Sequence, residues 1–363
     1  MGADVDHVAD ARQEVTCQFV KAGSWGKRVD TRILGKSGVE VSEHGFGGAP
    51  LGDLYSIIDE AVAVGTVESA LRNGVTLLDT SPLYGHGMSE LRIGAALRRV
   101  KPPKFVLCTK IGRVMDPFKR KVPGEGYAGG VEHLANFDYS YDGAMRSLEQ
   151  SMLRMGLSHI DVVLIHDVDV WTHGASMIDQ RFREAVSGAY KALDRLRQEK
   201  VIRAVGVGVN EADMCVRFAR ECDIDCVLLA GRYSLLEQPA AAEFLPLAVE
   251  RRIGVMLGGV FNSGILATGP IPGAKYNYKP APPDVMAKVG QIEAVCRAHN
   301  VALADAALRF ALAHPAVSSV VLGAVAPSEI ERQRQSFSAK IPAALWRDLK
   351  AKGLLDKSCP VPA

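Results

Sequence analysis

Eight short apolar runs, each leading into a stretch with helical spacing, constrain this chain more than any other feature. The runs cover residues 39–47, 75–79, 105–110, 161–166, 202–209, 226–233, 254–260 and 318–322, and the helical patterns between them include 89–99, 142–155, 182–199, 213–221, 241–251 and 284–299. Strict β-then-α alternation predicts parallel strands joined by right-handed crossovers. An open doubly wound sheet and a closed barrel both satisfy that rule. No GxGxxG opens a helix, and eight regularly spaced units predict the closed (β/α)8 barrel, the TIM-barrel class. Neither a sequence repeat nor a Pro/Ser-rich linker divides the chain, so residues 31–363 read as one barrel domain and 1–30 as an N-terminal extension expected to be disordered.

Two long segments break the rhythm, 112–136 after the third strand and 262–283 after the seventh, the latter containing GPIPGAKYNYKPAPP. Both leave from strand C-terminal ends, where a barrel builds its site, so they are expected to form walls or a lid. Phe118, Tyr127, Tyr276 and Tyr278 are their aromatic candidates for a substrate wall.

Composition narrows the partner. A net charge of +2, from 43 basic against 41 acidic residues, gives no field for nucleic acid or an acidic membrane surface, so a small molecule is expected. Seven cysteines without a CxxC pair read as reduced thiols of a cytoplasmic protein, and no apolar stretch reaches the 18 residues of a membrane span.

Function concentrates at the strand ends. LLDTSPLYGHGMSE places Asp79 at the end of the second apolar run and Tyr84 in the loop after it, FVLCTK brings Lys110 to the end of the third, and DVVLIHD brings His166 to the end of the fourth. Alone, each has an ordinary explanation: a helix cap, a loop aromatic, a solvated strand end, a structural histidine. Together they form a proton-transfer set. A tyrosine titrates near 10, and an ammonium about 4 Å from its oxygen is worth about 4 kcal/mol at an effective dielectric near 20, enough to lower that pKa by two to three units. Asp79 would orient Lys110, and His166 would offer a donor to a substrate oxygen. A hydride still requires a nicotinamide, because no side chain carries one.

Along nearly its whole length the sequence resembles the aldo-keto reductases, whose acid, tyrosine, lysine and histidine tetrad corresponds to Asp79, Tyr84, Lys110 and His166. Residues 1–30 have no counterpart in that pattern, which begins near RILGKSGVEV at Arg32. The resemblance implies a dinucleotide on the loops after the seventh and eighth strands, GGVFNSGIL and VVLGAVAPSEIERQ, with Gly208 at the end of the fifth. Amides of Asn262, Ser263 and Gly264 would meet the pyrophosphate, Leu266, Gly323, Ala324 and Gln333 would line the cofactor, and Ser328 with Glu331 would form a capping box on the helix facing the adenosine phosphate. Where NADP-preferring members carry a lysine and an arginine for the 2′-phosphate, this chain has Gly323 and Glu329. A carboxylate there repels phosphate and accepts from a ribose hydroxyl, which predicts NAD over NADP. A shifted register would instead offer Arg332 or Arg334.

Departures from the common pattern share a direction. GVGVNE stands where many members read GVSNF, and Ala230 in LLAGRYSLLEQ stands where a glutamine usually meets the nicotinamide. With HDVDVWTHG these segments resemble a bacterial subgroup, the D-threo-aldose 1-dehydrogenases or L-fucose dehydrogenases, and its relative pyridoxal 4-dehydrogenase. That resemblance implies oxidation of a cyclic hemiacetal to a lactone, with an aldose ahead of pyridoxal; Trp171 can stack on either substrate, and Asp167 or Asp169 can bind a sugar hydroxyl or merely solvate a loop. A metal-dependent hydrolase using His44, His166, Asp167, Asp169 and His173 is the rival from another class. It lacks the His-x-His expected on the first strand, and no metal site is assigned. A non-catalytic redox-sensing subunit is the third reading, against which the intact tetrad argues.

Overall fold

The computed structural model describes residues 29–121 and 126–362, so the expectation for the N-terminal extension lies outside the described residues apart from Val29 and Asp30. Eight parallel strands close a barrel in chain order: β1 His44–Gly47, β2 Leu77–Asp79, β3 Val106–Ile111, β4 Val162–His166, β5 Ala204–Val209, β6 Cys226–Ala230, β7 Gly254–Gly258 and β8 Val317–Gly323. Closure is made by β8 on β1, with Val320 opposite His44 and Gly323 opposite Gly47. Inward-facing Leu77, Val106, Cys108, Val162, Leu164, Cys226, Leu228 and Met256 fill the lumen, so the barrel is a packed core with its chemistry at the rim.

Where the strands stop depends on local backbone. The run 39–47 divides into Glu40–Ser42, which pairs with Thr31–Ile33 in a hairpin, and β1. Ser42 makes the break: its hydroxyl donates to the His44 carbonyl and accepts from the Thr76 amide. That hairpin brings Leu34, Val39 and Val41 into the lumen cluster. β6 and β7 end before the 233 and 260 expected, because Gly231 and Gly259 follow with φ of 67° and 63°, a left-handed turn that no strand continues. The helix expected over 182–199 is Ile178–Glu184 and Tyr190–Gln198 joined by one π-turn, Ala185–Ala189. Its cause is local, since the Ala189 amide donates to Tyr139 O and Gly188 packs against that backbone.

Both long segments carry secondary structure among their described residues. The first contains a strand Arg113–Arg120 pairing with His133–Phe137, which ends one residue beyond 136, and 262–283 contain a short helix Ile265–Thr268 and a small hairpin of Lys275–Tyr276 with Lys279–Pro280. Among the described residues no helix is long and apolar enough to cross a membrane.

Candidate active site

The four strand-end residues converge. Lys110 Nζ donates to both Asp79 oxygens and to Thr80 O, each at 2.8 Å, and lies 4.6 Å from the centroid of the Tyr84 ring. Tyr84 meets the His166 ring edge to face at 5.9 Å. Gly208 makes room for this, since a Cβ there would press on the Lys110 stem at 3.3 Å. The loop that presents Tyr84 turns through Gly85 (φ 62°), whose backbone packs against the backbone of Gly52, where a Cβ would lie 2.4 Å from Gly85 N. Only glycines allow that approach.

One electrostatic expectation is reversed. Burial, and then the charges of Asp79 and Asp167, hold the Tyr84 phenol well above its ordinary value. The Lys110 ammonium, 4.6 Å from the ring centroid, is paired with Asp79 at 2.8 Å. His166 is held well below the usual histidine range, first by burial and then by Arg113 and Lys110, so the ring is neutral. Burial raises Asp79 and Asp167 against the pull of Lys110 and Arg113 respectively.

Two connected cavities of about 550 and 420 Å³ open at this rim and share Tyr84, Trp171, Asn210 and Tyr278. The smaller one has Lys110, His166, Arg113, Asp167, Thr172 and Tyr127 on its walls. Asp169 does not reach it: buried, it accepts from the amides of Thr172 and Asn210 and from Asn210 Nδ2, a structural role. Asp167 does reach it. Of the four loop aromatics Tyr127 and Tyr278 line the cavities, whereas Phe118 is 96% exposed and Tyr276 donates to Glu237.

The larger cavity runs from Asp79 past Asn262, Ser263 and Gly264 to Gly323 and Glu329. Its residues fit a dinucleotide: Gly264 has open space where a Cβ would stand, and the Arg232 guanidinium supplies a cation on the wall. Several expected contacts differ in detail. Asn262 and Gly264 amides already close turns onto Gly259 and Phe261 carbonyls, so of that trio only Ser263 lacks such a bond. Leu266 and Ala324 are packed in the core, and Gln333 binds Gly323 O and His44, so none of the three lines the cleft. The capping box is not formed: the helix starts at Pro327 with Ala326 as its cap, and Glu329 instead accepts from the Val325 amide. Arg334 lies at a separate crevice beside His44.

Arg113 and Arg232 were not singled out by sequence. KIGR and AGRY put each a few residues beyond a strand end, but nothing in either spacing told a site cation from a solvated one. The hydrolase residues do not assemble, since His44 bonds Gln333 and stacks on Phe337, and no cluster of three metal-ligand side chains occurs among the described residues.

A closed eight-stranded barrel carrying an acid, tyrosine, lysine and histidine at its rim defines a class of nicotinamide-dependent oxidoreductases. The chain belongs to the aldo/keto reductase family, whose sequence pattern matches residues 44–353. It is 38% identical to pyridoxal 4-dehydrogenase of Microbacterium luteolum, over 91% of this chain and 99% of that protein. It is 34% identical to D-threo-aldose 1-dehydrogenase of Pseudomonas sp, over 88% and 96%. Among solved structures, the holo form of an aldo-keto reductase of Bacillus halodurans superposes with a TM-score of 0.69 at 26% identity, covering 91% of this chain and 98% of that one.

Proposed function

We propose that this enzyme oxidises the cyclic hemiacetal of an aldose of the L-fucose or D-threo type to its lactone, with NAD as the oxidant. The observation that carries the reading is the 420 Å³ cavity, in which Tyr84, Lys110 and His166 face a polar floor of Arg113, Asp167 and Asn210 beside Trp171. A nicotinamide bound in the larger cavity would supply the acceptor for the hydride of the anomeric carbon. Tyr84 takes the proton of the anomeric hydroxyl, His166 donates a hydrogen bond to the same oxygen, and Asp167 with Asn210 accepts and donates to ring hydroxyls. Trp171, 52% exposed, offers an apolar face on which a sugar's C–H groups stack. Gly208, Asn262, Ser263, Gly264, Gly323, Arg232 and Glu329 would hold the dinucleotide, the Glu329 carboxylate favouring an unphosphorylated ribose. Six free, buried cysteines among the described residues accord with a cytoplasmic setting.

Pyridoxal is the second reading, favoured by the higher identity to its dehydrogenase and by Tyr127, Tyr278 and Trp171 around one cavity. Initial rates with L-fucose and with pyridoxal, each with NAD and NADP, separate the two. L-fucose turnover with NAD is the expected result. Turnover of pyridoxal alone reassigns the substrate, and a preference for NADP removes the role given to Glu329.

A further inference from the structure

Arg113 follows Lys110 by three residues, and its side chain is buried at the floor of the catalytic cavity with its guanidinium 4.4 Å from the centroid of Phe137. Nη2 lies 2.9 Å from Asp167 Oδ2, and Nη1 lies 3.4 Å from His166 Nδ1. A guanidinium has donors and no acceptor, so a proton on Nδ1 would face an N–H across that gap. The other neighbour of Nδ1 is the Ser81 hydroxyl at 3.0 Å, which can donate or accept and so does not select a tautomer.

We propose that Arg113 is a positioning residue that fixes His166 as its neutral Nε2–H tautomer, so that the ring presents a donor to the substrate oxygen. Nε2 is 3.4 Å from Asp167 Oδ1, and a carboxylate there with no counter-ion would draw a second proton onto the ring. By pairing with the other carboxylate oxygen, Arg113 removes that pull. It also steadies Asp167 in a left-handed conformation, φ 54°, which a non-glycine residue keeps only when its surroundings fix it. The charged and titratable groups around the ring are Lys110 from β3 and Arg113 just beyond it, Asp167 from its own loop, and Tyr84 with the Lys110-bound Asp79 from β2 and the loop beyond it. The two cations act with burial against protonation. The inference rests on the role given to His166 above, but its test needs neither substrate nor cofactor.

The test is 15N NMR of the histidine rings in the ligand-free protein, with the His166 signals assigned by their loss in H166Q. The wild type should show the neutral Nε2–H form throughout pH 5.5–8, and S81A should keep it. R113M should lose that single form, giving a tautomer mixture or an imidazolium on the acid side, and R113K, another acceptor-free cation, should restore it. A wild-type ring protonated on Nδ1 would overturn the proposal. So would a scrambled S81A with an unchanged R113M, which would assign the tautomer to Ser81. If R113M fails to fold, retention of the Nε2–H form in R113K and S81A supports the proposal and its loss in S81A sinks it. Because no turnover is read, a wrong substrate or cofactor assignment leaves this outcome unaffected.

Discussion

Both carboxylate oxygens of Asp79 lie 2.8 Å from Nζ of Lys110, with Asp79 2% and Lys110 1% exposed. The third ammonium proton goes to Thr80 O, so the lysine is fully satisfied before any ligand arrives. Replacing Asp79 by Asn leaves a buried ammonium without its counter-ion. The expected cost is about 3–5 kcal/mol in urea denaturation. A variant of unchanged stability would mean that Lys110 is not held by this charge.

Tyr84 gives the pH dependence. Its phenol is raised well above the ordinary value, by burial first and then by Asp79 and Asp167, so the base form becomes populated only on the alkaline side. For oxidation, kcat/KM should therefore keep rising with pH beyond neutrality, whereas the reverse reaction uses the neutral phenol and should be flat there. Profiles in both directions check this, and an oxidation plateau near pH 7 would contradict it. Tyr84→Phe should lose about 10²–10⁴-fold in the same assay.

The barrel and the meeting of Asp79, Lys110 and His166 at one rim were legible because they depend on periodicity and on strand-end position, which are local properties of sequence, whereas their grouping with Tyr84 came from the family resemblance. Asp79, Lys110 and His166 each close an apolar run, and the barrel then carries those ends to one rim. What was not legible depends on contacts between distant segments. The π-turn at Ala185–Ala189 exists because of Tyr139, some 50 residues earlier, and only the folded contact reveals it. Asp167 and Asp169 look equivalent in HDVDV, yet one faces a cavity and the other caps a helix turn, a difference fixed by the left-handed backbone at Asp167 and by Asn210 from the next strand. Arg113 escaped notice because its partners are His166 and Asp167, over 50 residues away.

The proposed preference for NAD rests on Glu329. Its carboxylate lines the larger cavity and accepts from the Val325 amide, which fixes its direction near the start of the last barrel-associated cleft helix. Glu329→Lys should lower the dissociation constant for NADP relative to NAD by at least about tenfold, or about 1.4 kcal/mol. Fluorescence titration of both cofactors reads this without turnover, and an unchanged ratio would place the ribose elsewhere.

Arg92 ties the rim together. It is buried and donates to Leu51 O, Asp53 Oδ1, Ile58 O and Glu60 Oε2, while Asp53 accepts from Gly130 in the inserted segment after β3. Arg92→Met strands the Asp53 carboxylate and should cost about 3–5 kcal/mol. Denaturant midpoints measure the loss, and a cost under about 1 kcal/mol would show that the loops hold without the clamp.

His44 makes stability depend on pH. The ring is 1% exposed, stacked on Phe337 at 4.5 Å, with Nε2 3.0 Å from Gln333 Oε1. Burial lowers its pKa from 6.5 to about 4, against the raising effect of the Gln333 bond. As pH falls below 6.5 the unfolded chain takes up this proton while the folded ring does not. The contribution is therefore fully present above that value and is lost down to about pH 4, by at most about 1.4 kcal/mol per pH unit. His44→Phe keeps a ring against Phe337 and cannot titrate. Its unfolding free energy should fall less steeply than that of the wild type between pH 6.5 and 4, although His86, His166, His173 and His314 are lowered as well and contribute to both curves. Parallel curves for the two proteins would mean that His44 titrates alike in the folded and unfolded chains.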